Sequence, residues 1–335
     1  MVQRIRSVLN YKKPSFWVIL AAVILIFAVT IGFLTVPKST PEEVSNQPLL
    51  EENMETIPET QASAAPTEEV ATPTEEADTE WAPYPDGIRI DTYTGGTFTA
   101  QIMLVRDPSR VYLATSSETL SMDTPGLKID AAMEKEGAAA AINAGTCYDD
   151  GTGSLAVGSV PLGLNLSKGN VVWNRFSEMT SDRGFAGFNR DNILIVSDTI
   201  TEEQASELAI RDGCASGPVL IVNGKAVDID YSGYSPRTAI GQRADGTVIL
   251  VCTNGRTEDF LGATYSDVIG ILEEYGAVNA CLLMGGSSAN MLYRDVQGQY
   301  GEKGTVHMFN PESDVHDIFT GLALRRLPTF WMVKP

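Results

Sequence analysis

Four short segments place amides, hydroxyls, guanidinium groups or carboxylates at the ends of apolar runs. Met284-Gly285-Gly286-Ser287-Ser288 follows the run Ala280–Leu283. Its glycines let the backbone approach an anion closely, and Ser287 and Ser288 add donors; the plain structural reading is a tight turn. Ser235-Pro236-Arg237-Thr238-Ala239-Ile240-Gly241 opens another run. An arginine there presents a planar fork that can hold a phosphate at two points, or form an edge ion pair. Asn254-Gly255-Arg256 closes the run Val248–Cys252, and Glu258 and Asp259 follow. A carboxylate beside a sugar can serve as base or nucleophile at the anomeric carbon, whereas two acids ahead of a helix also suit its positive end.

The fourth segment, Asn143-Ala144-Gly145-Thr146-Cys147-Tyr148-Asp149-Asp150, supplies Asp149 as a third carboxylate. A thiolate at Cys147 would be a good nucleophile. The two histidines, His307 and His316, both fall near the C-terminus, which leaves such a thiol without an evident base. Gly213-Cys214-Ala215-Ser216-Gly217 misses the nucleophile-elbow spacing by one position and has no clear helix after it, so a serine hydrolase is disfavoured.

Elements that would position these segments can be read from period and turn chemistry. Strands are expected at Gly87–Tyr93, Thr97–Val105, Val111–Thr115, Ala139–Asn143, Leu162–Leu166, Asn192–Val196, Val219–Val222, Thr238–Gln242, Val248–Cys252, Ala280–Leu283 and Leu327–Val333. Asn223-Gly224 and Asp245-Gly246 are hairpin dipeptides. Helices are expected over Ile129–Glu136, after Thr201 with Gln204 in a capping box, and after Thr264 with Gly276 as the stop. The last lies between two apolar strands and predicts a crossover between parallel neighbours, with both strand ends at one edge. The fold class is α+β or mixed α/β: one domain with a multi-stranded mixed sheet and a few helices.

Singly these segments are weak signals, but their order is specific. Asn143-Ala144-Gly145, Gly217-Pro218, Asn223-Gly224-Lys225, Pro236-Arg237-Thr238-Ala239-Ile240-Gly241, Asp245-Gly246, Asn254-Gly255-Arg256, Gly276-Ala277, Gly285-Gly286-Ser287-Ser288 and Arg326-Leu327-Pro328-Thr329 together resemble the phosphodiester glycosidase family. The resemblance spans roughly residues 85 to 334 and implies hydrolysis of a sugar-1-phosphodiester in a phosphate-bearing glycan. It implies substrate-binding roles for Asn143, Arg237, Thr238, Asn254, Arg256, Gly285, Gly286, Ser287 and Ser288. Glu258, Asp259 or Asp149 would supply the carboxylate. Two departures stand out. Met284 occupies a position where the family has Asp, and Ala144-Gly145-Thr146-Cys147 replaces a Gly-Gly-aromatic loop. A domain that binds glycan phosphate without cleaving it is the alternative.

The remaining sequence bounds the setting. Residues 1–15 carry Arg4, Arg6, Lys12 and Lys13, and 16–36 is an uncharged apolar run long enough to cross a bilayer. Basic residues ahead of the span predict a single-pass anchor with its C-terminal part outside the cytoplasm. Residues 37–81 are dense in Pro, Thr, Ser and Glu, the composition of a disordered spacer, and 82–335 form the folded domain. The chain carries a net charge of −19, about −12 of it in that domain, which argues against nucleic acid as a partner. The four cysteines lack a C-x-x-C pair, so no metal site is indicated. No cofactor is expected, and a divalent cation is compatible with the chemistry but not indicated. Cys147 and Cys214 could pair outside the cell, while Cys252 and Cys281 read as buried side chains.

Overall fold

Continuous apolar runs mark strands buried on both faces. In the computed structural model, residues 79–148, 157–176, 184–229, 233–309 and 325–335 are described. The basic tip, the apolar run 16–36, nearly all of the spacer and Asp149 lie outside them. Among the described residues no helix is long and apolar enough to cross a membrane.

Three sheets form the domain. A seven-stranded sheet runs in the order Ile88–Thr94, Thr99–Val105, Val248–Thr253, Thr238–Arg243, Ala277–Leu282, Val219–Val222, Lys225–Ala226. A second sheet runs Val306–Phe309, Met291–Arg294, Ala140–Asn143, Thr329–Val333, Val111–Thr115. A third runs Asn170–Arg175, Gly163–Ser167, Ile210–Ser216, Gly184–Asn189, Leu194–Ser197. The ladders within them are antiparallel.

One shared core holds the sheets together. Met103, Val105 and Leu250 from the first sheet meet Leu113, Ile142 and Trp331 from the second and Ala186, Phe188 and Cys214 from the third. Period-2 alternation sends the intervening residues to the outer faces, where helices cover them. Helix α1 (Ile129–Glu136) puts Ile129, Ala132 and Met133 against Tyr112, Phe330 and Met332. Helix α2 (Glu202–Glu207) packs Ala205 beside Leu164, Leu166 and Phe185. Helix α3 (Tyr265–Glu274) sets Val268, Ile271 and Leu272 on Ile102, Leu104, Ile249 and Val251. Two-sided burial makes these strands read as continuous apolar runs, a signature more typical of parallel sheets.

That signature accounts for one correction. Val248–Thr253 and Ala277–Leu282 share a direction, but they are not hydrogen-bonded neighbours. Thr238–Arg243 lies between them and pairs antiparallel with both. The Asp245-Gly246 hairpin brings that strand back first, and its free edge then receives Ala277–Leu282. The functional consequence expected of a crossover survives, because both carboxyl ends still reach the same edge, beside the start of Thr238–Arg243.

Other expectations hold locally. Thr201–Gln204 and Thr264–Asp267 each form a reciprocal capping box. Asn223 and Gly224 take φ of 49° and 75°, the left-handed pair that a two-residue hairpin needs. Gly213–Ser216 belongs to the strand Ile210–Ser216. The Phe185 ring lies across Gly213, where an added Cβ would sit 2.4 Å from its Cζ, so glycine admits the ring. The Cys147–Cys214 disulfide is not formed: all four cysteines are buried and outside disulfides, and burial pushes Cys214 up to about 12. Trp81, assigned to the spacer by composition, is 4% exposed in the core, and Glu80 reaches Arg89 and Arg243 at 3.2 and 3.0 Å.

Asp295 organises the junction between the first two sheets. Its carboxylate accepts from the backbone N–H of Gly298, Gln299 and Tyr300, and the Tyr300 hydroxyl accepts from Ile90 N–H of the first sheet. Burial pushes its pKa up, but backbone donors outweigh that term and leave the carboxyl below its ordinary value. A depressed folded value stabilises the protein above the unfolded pKa, about 3.9, and is lost as pH falls through the folded one. Asp295→Asn is therefore expected to lower the denaturation midpoint at pH 7. Urea titrations across pH should show that deficit shrinking below about pH 4.

Candidate functional site

Asn143 ends a strand of the second sheet with its side chain wholly buried. Its Nδ2 donates to the Met284 carbonyl at 2.7 Å and to Thr238 Oγ1 at 3.1 Å. Its Oδ1 accepts from Asn290 N–H at 3.1 Å. The Thr238 hydroxyl donates to the same Met284 carbonyl at 3.0 Å, and Met284 N–H donates to Ala144 O at 3.1 Å. One amide therefore fixes both ends of the 284–290 loop and joins the first sheet to the second. A buried network with these bonds made is rigid, and costly to leave half satisfied.

The loop itself is shaped by close backbone approach. Gly286 N–H donates to Pro236 O at 2.8 Å, and a Cβ on Gly285 would lie 2.5 Å from that oxygen. Gly286 takes φ +64° and opens the short 3-10 turn Gly286–Ser288. A Cβ there would stand 3.4 Å from an Arg256 terminal nitrogen, so that guanidinium lies at the mouth of the turn. Arg256 is exposed and takes φ +59°, unusual for a long side chain. Ser287 is partly exposed and Ser288 is buried, with Arg325 Nη1 at 3.4 Å from the Ser288 hydroxyl.

Residues predicted together divide into two groups. Asn143, Thr238, Gly285, Gly286, Ser287, Ser288 and Arg256 meet around this loop. Arg237 and Asn254 stand on adjoining chain but serve the backbone. The Arg237 guanidinium lies 4.6 Å over the Tyr265 ring and donates to Ala263 O at 3.2 Å and Gly233 O at 2.7 Å. Asn254 exchanges two bonds with Thr99 at 2.8 Å each. Glu258 and Asp259 are exposed at the tip of a turn that Thr257 and Phe260 close, on the same loop as Arg256.

Three site residues were not singled out from sequence. Asn290 completes the Asn143 clamp, Tyr265 stacks on Arg237, and Arg325 reaches Ser288. A doublet of arginines at 325–326 was the only local signal, and it does not say which one points inward. Arg326 instead donates to Gly126 O at 3.1 Å.

Met284 is partly buried. It packs beside the apolar cluster of α1 and the second sheet, with its Sδ 3.6 Å from Cys147 Sγ. The position where the resemblance has a carboxylate is thus filled by a sulfur-to-sulfur contact.

Fold and site together define a three-sheet α+β domain in which a glycine-serine turn, held by an amide, faces guanidinium groups. The phosphodiester glycosidase family matches residues 136–334, more than half of the chain, and the chain belongs to that family of hydrolases. Its fold is similar to the catalytic domain of zebrafish N-acetylglucosamine-1-phosphodiester alpha-N-acetylglucosaminidase auto-inhibited by its pro-peptide. That likeness has a TM-score of 0.57 at 19% identity over 74% of this chain and 82% of that one. A hypothetical protein from Synechocystis aligns with a TM-score of 0.50 at 16% identity, over 73% of this chain and 61% of that one. The SPbeta prophage-derived uncharacterized protein YomE of Bacillus subtilis (strain 168) is 40% identical over 71 residues, 21% of this chain. The aligned stretch spans 11% of that curated relative's length.

Removing the amide tests the clamp. Asn143→Ala strands buried polar groups and is expected to lower stability by about 2–4 kcal/mol. Guanidinium denaturation measures this, with Ser287→Ala as a control that should stay within about 0.5 kcal/mol.

Proposed function

We propose that this protein is a membrane-anchored extracytoplasmic hydrolase that cleaves sugar-1-phosphodiester bonds in envelope or extracellular glycans. The observation that carries the reading is the convergence of the Gly285–Ser288 turn with Arg256 and Arg325 on a protein of net charge −19. Local donors of this kind bind a phosphate against an unfavourable overall field. Family membership supplies the reaction class, and the zebrafish enzyme names a sugar-1-phosphodiester as one substrate of this fold. The apolar run 16–36 behind a basic tip supports the anchor and the outward orientation.

In this reading Arg256 and Ser287, on the exposed side of the turn, hold the phosphate. Water adds to the anomeric carbon, the bond from that carbon to the phosphate oxygen breaks, and the phosphate leaves with its electron pair. Glu258 and Asp259, on the Arg256 loop, are candidates to take the water proton, and Asp149, outside the described residues, is a further one.

Release of reducing sugar from a panel of sugar-1-phosphodiesters, including a nucleotide sugar, tests the assignment. Arg256→Ala should lower kcat/KM roughly ten- to a hundredfold, the scale of a charge-assisted contact. Either Glu258→Gln or Asp259→Asn should cost on the order of a hundredfold or more if it removes the base. No turnover by the parent chain across the panel would reject catalysis.

The contact of Met284 with Cys147 favours a second reading, a glycan- or phosphate-binding module that no longer cleaves. That reading expects sugar phosphate to raise the melting temperature without turnover. It also expects Met284→Asp to lose stability, since the new carboxylate would enter an apolar cluster.

A further inference from the structure

A groove of about 590 Å³ lies between the segment Leu120–Asp123 and the edge strand Asn170–Arg175, outside the loops described above. Its lining combines an indole with planar polar groups: Trp173, Asn174, Arg175, Glu202, Ser121 and Asp123. Asn174 Nδ2 donates to Glu202 Oε1 at 2.7 Å, which sets both at the groove side of helix α2. The Arg175 guanidinium lies 5.6 Å over the Trp173 ring and holds it. The Trp173 indole N–H is shielded from solvent yet has no acceptor among the described residues. A buried donor without a partner is costly, which marks a place where an outside acceptor would be gained.

Two ring contacts link Trp173 to the end of the 143–148 loop. Phe176 lies 6.1 Å from Trp173 and 5.2 Å from Tyr148, with tilted rings. Tyr148 donates its N–H to Val160 O at 2.9 Å, and its neighbour Cys147 touches Met284. A run of aromatic rings flanked by amide, carboxylate and guanidinium groups matches a carbohydrate chain. The rings meet the apolar C–H faces of the sugars, and the planar polar groups meet hydroxyls.

We infer that the Trp173 groove binds a glycan chain and leads it along Phe176 and Tyr148 to the Gly285–Ser288 turn. This rests on the glycan reading proposed above, but not on cleavage. It makes the preferred ligand a polymer rather than an isolated sugar phosphate.

The test uses the full chain with three probes: hexamers of β-1,4-linked N-acetylglucosamine, β-1,4-linked glucose and α-1,4-linked glucose. Tryptophan emission and calorimetry are read together. At least one hexamer should bind and change the emission. Trp173→Phe should remove that emission change while keeping calorimetric binding, and Trp173→Ala should weaken binding about tenfold. Circular dichroism and melting temperature of both variants establish that each is folded. The groove is overturned if no hexamer binds, or if Trp173→Ala, folded, binds as tightly as the parent. A chain that binds hexamers through Trp173 yet cleaves no phosphodiester keeps this inference and removes only the hydrolase reading.

Discussion

The side-chain amide of Asn143 connects two sheets through one backbone carbonyl. Nδ2 and the Thr238 hydroxyl both donate to Met284 O, while Oδ1 takes Asn290 N–H from the far end of the same loop. A carboxamide is the group that can both donate and accept across so short a span. A carboxylate replacement loses the donors, and a hydroxyl has one proton where Nδ2 supplies two. The turn formed by Gly285 to Ser288 depends on this anchor, because its own contacts are few. Everything assigned to that turn, from anion donors to the placement of Arg256, follows from where the amide holds it.

Charge and chemistry at the site pull in different directions. A strongly acidic chain gathers guanidinium groups around a single turn: Arg256 at Gly286 and Arg325 at Ser288, with Arg237 behind them on Tyr265. Arginine suits such placement because its charge is delocalised and weakly hydrated, so partial burial costs less than for lysine. Meanwhile Met284 turns into an apolar cluster and meets the Cys147 thiol. The carboxylates on the Arg256 loop, Glu258 and Asp259, are exposed instead.

How far the sequence carried the reading depends on what each signal encodes. Helices α1 to α3 were found because caps and period are local: Thr201, Thr264 and Gly276 state their own roles. The strands with apolar runs were found as well. Missed strands have reasons. Gly184–Asn189 and Ile210–Ser216 hold glycines required by the Phe185 ring, and glycine reads as a loop. Met291–Arg294 and Val306–Phe309 are short and are joined by a polar, glycine-containing segment. Pairing order was misread because two-sided burial imitates a parallel sheet, and no local residue records that Thr238–Arg243 lies between its neighbours. The candidate loops were legible as a series, and seven of the named residues meet. Arg237 and Asn254 did not join them at the surface, since sequence shows a polar residue but not the carbonyl or hydroxyl it faces.

The central claim is that one amide-held turn, together with Arg256, forms the anion site. Chemical-shift mapping of the isotopically labelled full chain with N-acetylglucosamine 1-phosphate tests it most directly. The account predicts the largest changes at the backbone N–H of Ser287 and at Arg256 Nε–H, with the Asn143 side-chain amide staying protected from solvent exchange. Saturating ligand that leaves residues 285–288 unshifted, or that acts chiefly elsewhere, would contradict it.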